Sequence, residues 1–72
     1  MLGAEYIIEA SLMQPEELKA LRVKAGMSQA ALGEAIGMSR VTIGLMERGE
    51  APIEKRTGLA VRYVVEQASR AT

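Results

Sequence analysis

The side chains that most often carry enzymatic chemistry are missing from this chain. It holds no histidine and no cysteine, which removes Ser-His and Cys-His nucleophiles, thiolate metal sites and most zinc sites. Its nine acidic residues are all glutamates, so an enzyme survives only as metal or carboxylate chemistry by scattered Glu side chains, and charge placement gives that no support. No catalytic residue, metal, cofactor or small-molecule substrate is expected. What remains is a set of hydrogen-bond donors suited to anions and base edges. Arg40 presents a planar fork that can engage two acceptors at once, Gln29 an amide, and Arg48 a second guanidinium.

The elements that must position these groups belong to a small molecule. Seventy-two residues and 7.7 kDa allow one domain with a small core. Apolar residues make up 49% of the chain and charged residues 25%, a globular balance, and no apolar run approaches the roughly 18 residues of a membrane span. The start of the chain lacks the pattern of a secretory signal, so a cytoplasmic location is expected. Without disulfides, stability must come from packing and helix caps, with a second subunit as a further candidate. Nine basic residues balance nine acidic ones, but the charges are not evenly spread. Four glutamates precede Lys19, and residues 19–72 carry nine Lys and Arg against five Glu. A modestly cationic body thus follows an acidic leader, which permits a polyanion partner without identifying one.

Four helices can be read from spacing. Pro15 suits a first helical position, and Leu18, Leu21 and Ala25 follow at i, i+3 and i+7 for a helix over 15–25 that Gly26 closes. Ser28 can cap a second helix with Leu32, Ala35 and Ile36 as its buried stripe, ended by Gly37. Ser39 can cap a third, from Arg40 to Glu47 or Arg48, with Ile43 and Met46 inward. After a turn at 49–52, a fourth runs from about Ile53 to Ala68. Its Ala60, Val61, Val64 and Ala68 form one stripe; Leu59 and Tyr63 form a second, a candidate subunit contact. Residues 1–13 form an apolar and acidic leader whose pattern fits a short helix or a strand, with a lean toward helix. It would pack across its own helices or onto a second chain. Residues 14–72 then form the folded domain, and the fold class is all-α, a compact bundle of four to five helices.

The informative unit is the second helix, the tight turn at Gly37 and the third helix. Two helices joined so closely cross steeply and need a small residue where their backbones meet, a place that Gly33 fills. Such a unit projects one side of its second helix, here Arg40, Val41, Gly44 and Leu45, and a single helix fits the major groove of B-DNA. With only two aromatics, both Tyr, no stacking platform favours single strands or RNA. Over roughly residues 15–68 the chain resembles the XRE family of helix-turn-helix domains, the lambda-repressor-like group of phage repressors and Cro proteins. The likeness is carried by Leu21-Arg22, Gly26-Met27-Ser28-Gln29, Leu32-Gly33, Ile36-Gly37-Met38-Ser39, Thr42-Ile43 and Glu47-Arg48-Gly49. It implies a transcriptional regulator that binds double-stranded DNA, usually as a homodimer on a palindromic operator.

Carried over by residue, the resemblance makes Gln29 a phosphate contact, and a helix start with free N–H groups agrees; a solvated polar residue is the alternative. It makes Arg22 and Glu47 an ion pair that braces the reading helix. Arg40 is the candidate for guanine O6 and N7, with a phosphate contact as competitor. Ser39 reads first as a cap, Thr42 can reach phosphate or a thymine methyl, and Val41 can offer thymine an apolar contact. Arg48, with Lys19, Lys24, Lys55 and Arg56, is a candidate for backbone attraction. Gly44 and Leu45 depart from the family, where relatives commonly carry polar or long side chains. Leu45 can meet thymine methyls while Gly44 lets the helix approach the groove floor; the same pair suits a domain that has lost strong DNA binding. The rival class is therefore an antitoxin-like or adaptor module that uses this fold to bind another protein.

Overall fold

The computed structural model describes residues 13–71. Within them the chain forms four helices and no strand: α1 (Pro15–Lys24), α2 (Gln29–Ile36), α3 (Arg40–Glu47) and α4 (Lys55–Ala71). The leader lies outside the described residues except for Met13, which is buried.

Local chemistry sets the helix ends. Pro15 opens α1, with Glu16 and Glu17 in its first turn and Arg22 and Lys24 in its last, each charge placed to oppose the helix dipole. The Ser28 hydroxyl accepts from the Ala31 amide at 3.0 Å at the start of α2, and the Ser39 hydroxyl accepts from the Thr42 amide at 3.1 Å at the start of α3. Helix α2 stops at Gly37, whose φ of 78° lies in the left-handed region. That conformation lets the Met38 amide reach back to the Gly33 carbonyl at 2.7 Å, closing the helix and turning the chain into α3 within two residues. Gly26 and Gly49 end α1 and α3 in the same way.

Each helix contributes to one core. Leu18 of α1, Leu32 of α2, Ile43 and Met46 of α3 and Val61 of α4 are sealed from solvent, with Met13 and Val65 at the edge. Leu21, Ile36, Met38, Ile53 and Val64 pack around them. Burying each such side chain contributes about 1.5–3 kcal/mol before chain entropy is counted. Helices α1 and α2 both lie against α3 and α4, so α3 is held on its inner side by the rest of the molecule. Two expectations are corrected. Ala35 is exposed, because α2 buries only the narrow strip, Leu32 and Gly33, over which α3 crosses. Helix α4 begins at Lys55 rather than near Ile53 and runs on to Ala71. Its Val61 faces the core as the first stripe requires, while Leu59 and Tyr63 are 51% and 65% exposed.

The crossing of α2 and α3 depends on Gly33. A Cβ there would overlap the Met38 carbonyl oxygen and stand 3.2 Å from the Ser39 carbonyl carbon.

Candidate nucleic-acid interface

The outer side of α3 is built by subtraction from the inner one. With Ile43 and Met46 committed to the core, the helical period turns Arg40 and Val41 outward, and both are exposed, Val41 at 63%. Arg40 sits at the first position of α3, and its side chain makes no hydrogen bond or ion pair among the described residues. Leu45 is half-buried. Ser39 and Thr42 are tied to each other, hydroxyl to hydroxyl at 3.0 Å, in addition to the cap. Gly44, which spacing puts on the outward side, is buried. Its cover is the end of Arg48, with Nη1 3.2 Å from where a Cβ would be, and the Gln29 amide, 3.6 to 3.7 Å away. Gly44 therefore lies beneath two polar side chains rather than bare on the outer side.

A polar brace fixes the far end of α3. Arg22 donates through Nε to Glu47 Oε2 at 2.6 Å and through Nη2 to Oε1 at 3.1 Å, a two-point contact, while its Nη1 donates to the Met27 carbonyl at 3.0 Å. The two side chains are 13% and 4% exposed. Gln29 Nε2 also donates to Glu47 Oε1, at 3.1 Å. The Gln29 link was not visible in the sequence, where the amide read as a free helix-start donor. Glu47 thereby joins α1, α2 and α3 through one carboxylate. Burial works against its charge, but the hydrogen bonds from Arg22 and Gln29 and the nearby charges of Arg22 and Lys19 prevail and lower its pKa. The hydrogen bond to Glu47 outweighs desolvation at Arg22 and raises its pKa.

The sign of the resulting pH dependence follows from the carboxylate. A group whose folded-state pKa is lowered contributes stability that is complete above its unfolded value, about 4.3 for Glu, and is lost as pH falls through the folded value. Urea titrations of the protein and of Glu47→Gln are expected to show a stability gap that is constant near neutral pH and narrows below about pH 4.3. A gap that widens on acidification would refute the charge role of Glu47.

Elsewhere the ion pairs are looser. Arg62 and Glu17 link α4 to α1 at 2.8 Å, and at 45 positions apart no local spacing announces the pair. Arg48 Nε lies 3.3 Å from Glu50 Oε2 with both side chains more than half exposed. Lys19, Lys24, Lys55 and Arg56 are exposed, as surface cations available to a polyanion would be.

The geometry thus consists of two capped helices set across each other at a glycine, with the second pinned at its end and exposing Arg40 and Val41. A family model described as a helix-turn-helix domain matches residues 16–71. No curated protein and no solved structure matches the chain. Helix-turn-helix domains bind DNA, typically in transcription regulation, and are typically non-enzymatic. No described helix is long and apolar enough to cross a membrane. With most of its length matched, a stretch that takes in the four described helices except for Pro15 at the start of α1, the chain belongs to the helix-turn-helix domain family, of the XRE and Cro-like type.

Proposed function

We propose that this protein is a sequence-specific regulator that acts as a dimer, placing α3 in the major groove of duplex DNA and repressing transcription by occupying the site. The observation that carries the proposal is the division of α3: Ile43 and Met46 are sealed in the core, while Val41 on the far side and Arg40 in the first turn stand uncovered. Arg40 would read guanine and Val41 a thymine methyl, with Ser39, Thr42 and Leu45 bordering the groove and Gln29 and Arg48 meeting the phosphate backbone. Two-fold symmetry would come from the leader, from α4 or from both. The exposed Leu59 and Tyr63, one turn apart on α4, supply an apolar surface for that contact.

The same two side chains favour the second reading, a module that binds another protein. Selection of the protein against random duplexes, followed by anisotropy across a salt series, separates the two. An enriched palindrome whose binding weakens steeply with salt supports the dimeric regulator, because phosphate contacts release counterions. A folded protein that enriches nothing overturns it in favour of the partner-binding module.

Arg40→Ala tests the reading residue. Specific binding is expected to weaken by about 1–3 kcal/mol, with melting and random-duplex binding unchanged. An equal loss on random DNA would reassign Arg40 to phosphate.

A further inference from the structure

A glycine in the middle of a helix sacrifices helix propensity relative to alanine, so Gly44 calls for a cause. No left-handed conformation supplies one, since among the described residues positive φ occurs only at Gly26, Gly37 and Gly49. Nor does a crossing backbone, as at Gly33. What lies over Gly44 is a pair of polar side chains from two different places, Arg48 just past the end of α3 and Gln29 at the start of α2. Both converge on the point that a Cβ would occupy. Gln29 is anchored from behind by its bond to Glu47. Arg48 is steadied through Nε by Glu50, which leaves its Nη groups free to donate.

We propose that Gly44 is a positioning residue for a phosphate-binding pair. By lacking a side chain it lets the Arg48 guanidinium lie across α3 beside the Gln29 amide, so that both direct N–H donors at one phosphodiester of the DNA backbone. The chemistry of the partner follows from the donors: Arg48 offers no acceptor, Gln29 keeps the second N–H of the amide nitrogen that holds Glu47, with its Oε1 the one acceptor at the point, and the Glu47 carboxylate behind the pair is already engaged by Arg22 and Gln29. An alanine methyl at position 44 would displace Nη1. Arg48 is 58% exposed, so its end can swing away at little cost to the fold. The guanidinium would shift off the helix and the contact would weaken while the helix was kept. This inference rests on the DNA-binding reading and deepens it.

The test is anisotropy of a fluorescein-labelled random-sequence duplex and of the duplex enriched by selection, titrated across salt with the wild type, Gly44→Ala, Arg48→Ala and the double variant. Gly44→Ala is expected to melt at or above the wild type, to bind both duplexes about 3–10-fold more weakly, and to lower the log–log salt slope by about 0.9, the value of one phosphate contact. Arg48→Ala is expected to do the same to binding, and the double variant to be no weaker than either single one. Wild-type slope in Gly44→Ala, or additive losses in the double variant, overturns the inference alone. Failure of the wild type to bind either duplex overturns the DNA-binding reading together with it.

Discussion

Replacing Glu47 with alanine is expected to destabilise the protein by about 3 kcal/mol and to lower its melting temperature by more than about 10 °C. The carboxylate satisfies three donors, two from Arg22 and one from Gln29. Its removal leaves the Arg22 charge, only 13% exposed, with the Met27 carbonyl as its remaining partner in the brace. An uncompensated charge of this kind costs far more than the net value of the pair, whereas pairs in open water contribute roughly 0–1 kcal/mol. Glu66→Ala, which breaks the exposed pair with Arg70, is thus the matched control and should change the melt little. Differential scanning calorimetry of the two variants decides the matter. If both melt alike, the brace contributes no more than a surface pair.

Gly33→Ala is expected to cost about 2–3 kcal/mol, even though alanine is intrinsically the better helix former by about 1 kcal/mol. The methyl would meet the Met38 carbonyl and the Ser39 backbone, neither of which can rotate aside. Moreover, the Met38 amide is bonded to Gly33 itself, so relief requires α2 and α3 to separate and the Leu32 and Ile43 packing to open. Chemical denaturation should show a clearly lower midpoint, and a midpoint at or above the wild type would mean that the crossing tolerates more room than the structure allows. Gly44 makes the contrast instructive. Both glycines sit inside helices, but one faces immobile backbone and the other the end of a flexible side chain, so the same substitution should destabilise at Gly33 and not at Gly44.

What could be read from the sequence was what depends on near neighbours. Ser28 and Ser39 sit where caps are needed, three residues before the amides that they hold. Gly26, Gly37 and Gly49 end the periodic segments, and Leu18, Leu32, Ile43 and Val61 recur at core spacing. Ala35 was misplaced because alanine is small enough for either environment and so carries little positional information. Gly44 was placed outward by period alone, which locates a backbone position but not the side chains that later fold over it. The Gln29 bond to Glu47 and the pair between Arg62 and Glu17 join residues 18 and 45 positions apart. Such meetings are set by how the helices stack, which no short window of sequence contains.

The two sides of α3 have a consequence for how such a protein could change its target. Ile43, Met46 and Glu47 anchor the helix, while Arg40 and Val41 touch nothing that the fold requires. On the proposed reading, address and architecture are therefore written in separate letters of the same eight-residue word. Exchanging the outward letters should cost the fold almost nothing, and if they read DNA as proposed, libraries confined to positions 40 and 41 are a natural starting point for retargeting, a route by which duplicated copies of the gene could also diverge.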